Sequence, residues 1–308
     1  MYPIMLLCQT AEGEAPGYDF KWRSDVNEKE IFLLSGRDEG ESVAKNGEFE
    51  GLGINEIIKR LGGENAETLP VYIKLIKTKE RMPVKVYPDD EYAAEHSSVI
   101  GKTSLVYITD AAKGAEMVYG LSRSVSRDEL NRRVTGGSLS QICNFVNVQK
   151  GDVFFIPPGV VFAIGGGISA IEISVNSDSE YIISDYGREY GGSTRPLQVN
   201  RALDVMKPQK IDIAYGNIGD LTLFPFGTVR ELCKTERFSV DALSVDGNVG
   251  IYEEEGFSSI VVTSGEADAS YSTGTMRLKE GDSVLLPKGV KIRLSGRVEM
   301  LYTKTGVR

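Results

Sequence analysis

Gly151-Asp152-Val153-Phe154-Phe155-Ile156-Pro157-Pro158-Gly159-Val160-Val161-Phe162 is the stretch that decides the fold of this chain. It reads as a tight turn, a buried strand, and a second turn fixed by proline and glycine. A partner stretch lies near the C-terminus: Gly281-Asp282-Ser283-Val284-Leu285-Leu286-Pro287-Lys288-Gly289-Val290-Lys291-Ile292. Gly, Asp, Pro, Gly and Val recur at the same offsets in both. Two copies separated by most of a domain's length predict two related domains rather than a short-period solenoid.

A length of 308 residues suits two domains, and 41% hydrophobic residues suffice for ordinary cores. No apolar run approaches the ~20 residues of a membrane span. Met1 to Cys8 has no basic start and no small-residue cleavage site, so no signal peptide is expected. Cys8, Cys143 and Cys233 are far apart and form no CxxC pair. Buried or incidental thiols in a reducing cytoplasm are the expectation. The net charge of -9 argues against a nucleic-acid partner.

Working outward from the opening stretch, residues 121–145 are the clearest helical segment. Ser126 and Glu129 fit a capping box, and Val125 with Leu130 fits a hydrophobic staple. Gly136-Gly137 precedes a second short helical piece, expected from Leu139 to Phe145. Upstream, 30–34, 71–77, 84–87, 104–109 and 115–120 read as strands, and Ile54 to Leu61 has helical spacing. Asn46-Gly47 predicts a hairpin. Residues 176–194 read as a loop, and 201–206 as a short helix. Beyond it come evenly spaced β-like runs at 228–232, 237–245, 249–253, 258–263, 267–272, 275–278, 283–286 and 290–294. The reading is a mainly β chain with an N-terminal domain over 1–212, carrying the helical insert, and an all-β domain over 213–308.

Histidine is the scarcest residue that matters for chemistry. His96 is the only one. That closes off every metal site needing two imidazoles, and the HExxH helix. His96 lies in the polar run 89–98, which reads as an exposed loop.

The ordered set of motifs resembles the type I mannose-6-phosphate isomerases, built from cupin (jelly-roll β-barrel or sandwich) domains. The resemblance runs through Ser42-Val43, Asn46-Gly47, Val86-Tyr87-Pro88-Asp89-Asp90, Gly101-Lys102-Thr103 and Tyr119-Gly120. It continues through Glu129-Leu130, Gly151-Asp152, the Pro157-Pro158-Gly159 corner, Asn176-Ser177-Asp178 and Asp185-Tyr186 with Arg188, and the second Gly-Asp copy at 281. It implies aldose–ketose isomerisation of a sugar phosphate at one zinc, acting as Lewis acid and template.

The same resemblance places the family's metal ligands on positions that depart from them. Tyr87 stands for a histidine, Ser104 for a glutamate, Phe162 for a second histidine, and Lys85 for a ligand that is glutamine in some members. An arginine of the family falls on Ile182. Zinc takes thiolate, imidazole or carboxylate. A phenol, a hydroxyl, a hydrocarbon and an ammonium are none of these. Zinc is therefore expected to be absent, with no other cofactor in its place.

Lys102, Glu172, Asp185 and Arg188 keep their places. Lys85, Lys102 and Arg188, with Asp185, are candidates for holding a phosphate or carboxylate. Glu172 and Lys85 are the candidate catalytic groups if chemistry remains. The expected function is a catalytically degenerate, metal-free homologue that binds a sugar or sugar phosphate. Two alternatives stay open: an active sugar-phosphate isomerase with a non-standard site, and a non-catalytic interaction scaffold. Pairing of sheet edges into a homodimer is compatible with this fold by analogy.

Overall fold

The computed structural model describes residues 1–15, 18–23, 29–62, 69–96, 100–252 and 256–305. It is mainly β, as expected, with ladders that run antiparallel. Contacts divide the chain into two units: Met1–Phe20, Glu30–Leu75 and Ile218–Arg308 in one, Lys21–Lys29 and Ile76–Asn217 in the other. The expected boundary at 212/213 divides the chain by position in sequence, whereas these units are assembled from discontinuous segments. Among the described residues no helix is long and apolar enough to cross a membrane.

Each unit holds one copy of the opening motif, and the two copies share their geometry. Gly151 and Gly281 have φ of 91° and 93°, which a side chain would resist. Asp152 Oδ2 accepts the backbone N–H of Gln149 at 2.9 Å, and Asp282 Oδ2 accepts that of Lys279 at 2.8 Å. Strands follow at Val153–Ile156 and Ser283–Leu286. The proline corner then closes in the same way, with Val160 N–H to Pro157 and Val290 N–H to Pro287.

In the Ile76–Asn217 unit, one sheet has the order Cys143–Asn147, Glu116–Leu121, Phe162–Ala163, Val84–Val86, Tyr181–Ser184. A facing ladder is formed by Val153–Ile156, Ser104–Ala111 and Ile168–Val175. Side-chain alternation gives the first sheet two apolar faces. Met117, Tyr119 and Phe162 pack inward with Val106, Ile108, Phe154 and Ala170. Val84, Val86, Val118 and Ile183 pack outward against Leu130, Val134, Ala202 and Met206. Those last four come from or beside the helices Arg127–Thr135 and Val199–Val205. The Ser126 hydroxyl caps the first helix by accepting the Glu129 N–H. The Glu129 carboxylate turns to Arg123 and Arg133 instead of closing the box.

The other unit is built on an open nine-stranded sheet. Its order is Leu221–Phe224, Gly227–Lys234, Phe238–Tyr252, Lys291–Thr305, Ser258–Tyr271, Ser283–Leu286, Ile4–Leu7, Val43–Ala44, with Gly274–Lys279 beside Ser258–Tyr271. Runs expected as separate strands on either side of residues 246–248 and 264–266 are single strands of 15 and 14 residues. Gly247 lies inside the ladder, where it pairs directly with Gly296. The last strand continues to Thr305, well past the expected end at 294.

Four other expectations change. Asn46-Gly47 forms no hairpin. The Asn46 side chain accepts from Met5 N–H at 2.8 Å and donates to Pro3 O at 3.1 Å, and a 3-10 turn follows at Gly47–Phe49. The 139–145 piece is a 3-10 turn, Leu139–Gln141, leading into the Cys143–Asn147 strand. Residues 176–194 contain the Tyr181–Ser184 strand and a short ladder of Glu189–Tyr190 with Ser193–Thr194. His96 ends the helix Asp90–His96, not a loop. Acidic residues start that helix and its imidazole, at the other end, stacks on Tyr92 with centroids 3.9 Å apart.

Phe154 tests the two-sheet core. It is fully buried between Tyr119 and Tyr215, with centroids 5.2 and 5.5 Å away. Phe154→Ala is expected to lower unfolding free energy by about 3–5 kcal/mol, read as a shifted denaturation midpoint.

Candidate functional site

The candidate site lies between the two sheets of the Ile76–Asn217 unit. Strand Val84–Val86 has Phe162 opposite Lys85 on one side and Ile182 on the other. Val84 and Val86 face the helices. Lys85 and Tyr87, one register out of phase with them, therefore face the space between the sheets. From the facing ladder, Glu172 lies opposite Val106 on a strand buried along its whole length.

Glu172 is only 4% exposed. A carboxylate taken out of water needs hydrogen-bond donors. Tyr87, 1% exposed, supplies one: its hydroxyl donates to Glu172 Oε1 at 2.9 Å. The Phe162 ring packs against Tyr87 edge to face, with centroids 5.0 Å apart. The Lys102 ammonium sits 4.9 Å from the Tyr87 ring centroid. Ser104 pairs with Ser174, two residues along the same face from the Val106–Glu172 pair. Its hydroxyl is buried and has no hydrogen-bond partner among the described residues.

Lys85 and Lys102 converge on one carboxylate. Lys85 Nζ is 2.6 Å from Glu180 Oε1, and Lys102 Nζ is 2.9 Å from Glu180 Oε2. Two cations on one anion leave the trio formally positive, in a chain that is acidic as a whole. Arg188 engages other carboxylates. Its Nε donates to Asp185 Oδ1 at 3.0 Å, and its guanidinium lies 3.6 Å from Glu80. Asp185 is buried and also meets Arg195 at 3.2 Å. The structure thus groups Lys85, Lys102, Tyr87, Ser104, Phe162 and Glu172 around one centre. It gives Asp185 and Arg188 a network of their own.

Glu180 was not among the residues singled out from the sequence. Its signal was faint: it follows Asn176-Ser177-Asp178 and precedes Tyr181, two fragments of the resemblance, and nothing in that run marks a partner 95 residues upstream.

The donors at this centre are the Glu172 carboxylate, a phenol and a hydroxyl, with the Glu180 carboxylate engaged by the two lysines. Among the described residues no three His, Cys, Asp or Glu side chains are grouped as a metal ion would need. The thiols are remote from such chemistry. Burial pushes Cys143 from 9.0 up to about 12, and pushes Cys8 from 9.0 up to about 11. A thiol held protonated is a poor nucleophile and a poor ligand.

Two outcomes follow from this geometry. Tyr87→Phe removes the donor to a buried carboxylate and is expected to cost about 1–3 kcal/mol of stability. In a double-mutant cycle with Glu172→Gln, that cost should shrink. A cost unchanged by the second substitution would mean that the bond adds nothing. The thiols give a pH dependence. The folded chain holds these protons more tightly than the unfolded chain. Their contribution to stability is therefore complete below pH 9.0 and is lost as pH rises through about 11 and then about 12. Denaturation midpoints measured on the alkaline side should fall across that window, and replacing Cys143 by Ala should flatten the fall.

No protein-family model matches the chain. ManA, a mannose-6-phosphate isomerase of Bacillus subtilis (strain 168), is 29% identical over 285 residues, covering 89% of this chain and 88% of that protein. YvyI of the same organism, which bears the name of the same isomerase, is 30% identical over 265 residues, covering 84% and 83%. The crystal structure of the mannose 6-phosphate isomerase from Bacillus subtilis superposes with a TM-score of 0.87 at 25% identity, over 99% of this chain and 100% of that one.

Proposed function

We propose that this chain, which belongs to the mannose-6-phosphate isomerase family, is a member without the family's metal chemistry that binds a sugar or sugar phosphate. The observation that carries the reading is the Tyr87 hydroxyl bonded to Glu172, with Phe162 packed against the same ring. These side chains satisfy and fill one another where the resemblance puts a zinc shell. The donor set does not fit zinc: a phenol and a hydroxyl are weak ligands, and Phe162 is none. Lys85 adds an ammonium at the remaining position, and a fixed cation there opposes a dication.

Sugar-phosphate recognition is supported by the lysine pair. Lys102 is 4% exposed and is tied to Glu180, as is Lys85. An incoming phosphate can replace the Glu180 carboxylate between two ammonium groups already held in place. That exchange swaps one anion for another, so neither lysine has to be buried without a counter-charge. The reading is of a cytoplasmic protein of carbohydrate metabolism that senses or carries its ligand without turning it over.

The test has three measurements on the full chain. Metal analysis after incubation with zinc should find no stoichiometric ion. A coupled assay on mannose 6-phosphate should show no turnover. Mannose 6-phosphate should raise the melting temperature, because a ligand that binds only the folded state stabilises it, and Lys102→Met should abolish that rise. Zinc-dependent turnover would overturn the reading in favour of an active isomerase. No melting shift with any sugar phosphate would overturn it in favour of an interaction scaffold.

A further inference from the structure

The unit that holds the nine-stranded sheet carries a second feature suited to a ligand, and the proposed function does not use it. Strands Phe238–Tyr252, Lys291–Thr305 and Ser258–Tyr271 lie side by side. At one end their outward face presents two rows. Gly250, Arg293 and Ser270 are in register, and Tyr252 is in register with Lys291. Burial alternates along the middle strand, so Lys291 and Arg293 point outward while Ile292 and Leu294 join the core. This end of the face forms an open depression of about 660 Å³, which Tyr271 and Ser272 also line. That volume is in the range of small-molecule sites.

The chemistry of the depression is uneven in a useful way. The Lys291 ammonium stands 4.2 Å from the centre of the Tyr252 ring. That distance is within cation–π range and leaves its hydrogen-bond donors open. Arg293 makes no side-chain hydrogen bond or ion pair with any described residue. Its neighbours on either side are Gly250 and Ser270, too small to cover a planar guanidinium. Two cations thus stand side by side without a carboxylate partner among the described residues, in a chain of net charge -9. Glu253, Glu254 and Glu255 follow Tyr252 in sequence and lie outside the described residues.

We propose that this depression binds an acidic sugar, a pyranose bearing a phosphate or a carboxylate. Arg293 and Lys291 take the anionic substituent, for which a guanidinium offers a bidentate fork. The half-exposed Tyr252 ring presents an apolar face to the sugar's C–H face, and Ser270 and Ser272 meet its hydroxyls. A polyanion is disfavoured because the rest of the acidic surface repels it. Further along the same face stands a carboxylate, Asp268, which Arg277 holds at 2.9 Å.

Calorimetric titration of the intact protein tests this with four probes: mannose 6-phosphate, glucuronate, mannose and inorganic phosphate. The variants are Lys291→Ser/Arg293→Ser, Tyr252→Ala, and Lys102→Met in the other unit. At least one acidic sugar should bind at a site that the Lys291/Arg293 variant weakens about tenfold or more, and that Lys102→Met leaves intact. Tyr252→Ala should weaken the same site, whereas Tyr252→Phe, which keeps the ring, should not. Whether mannose 6-phosphate or glucuronate binds tighter identifies the anion. Unchanged affinity in the Lys291/Arg293 variant overturns the proposal. Inorganic phosphate binding as tightly as the sugars overturns it too, since the ring would then contribute nothing. The Lys102→Met arm reads the other site separately, so failure of one leaves the other standing.

Discussion

A carboxylate buried between two sheets must be answered from within the protein, and Glu172 is answered by Tyr87. Their hydrogen bond runs from the strand edge of one sheet to the middle of the other. Much of the site's arrangement depends on it. The Tyr87 ring, once aimed at Glu172, offers an edge-to-face surface to Phe162 and a π-face to Lys102. Lys102, drawn inward, needs an anion, and Glu180 supplies one that it shares with Lys85. The chain of partners runs from the buried Glu172, Tyr87 and Lys102 out to the partly exposed Glu180 and Lys85. Removing the Tyr87 hydroxyl takes a donor from the buried Glu172 carboxylate, which costs more than the bond itself contributes.

The architecture could be read from the chain because it rests on residues with few alternatives. Gly151 and Gly281 sit at φ values that favour glycine, each beside an aspartate whose carboxylate ties back to the turn. Such devices look alike wherever they occur, so their repetition was visible without coordinates. The Arg127–Thr135 helix was equally plain, since the Ser126 cap is a local bond. The failures are non-local. Asn46-Gly47 looks like a hairpin turn until the N-terminal strand claims the asparagine side chain. Runs 237–245 and 249–253 look like separate strands until Gly247 meets Gly296 in one continuous ladder.

The site divides in the same way. That Lys85, Tyr87, Ser104 and Phe162 belong to one centre was legible through the resemblance, and strand registers bring them there. That Tyr87 reaches Glu172 was not, because contact across two sheets depends on a spacing no local pattern records. Nor could the pairing of Arg188 with Asp185 and Glu80 be separated in advance from that of the two lysines with Glu180. Charged residues choose partners by distance in space, and the sequence preserves only their number and order.

The twin turns carry one further consequence. In each, the elements that hold shape are the glycine, the aspartate and the proline corner. The position that ends the motif, Phe162 in one copy and Ile292 in the other, takes no part in any of those bonds. Shape and chemistry are thus assigned to separate residues of the same twelve. Such a scaffold can change the side chain that ends the motif without touching the bonds that hold the turn. Divergence of chemistry at that position therefore leaves the turn itself intact and is answered only by the packing around it.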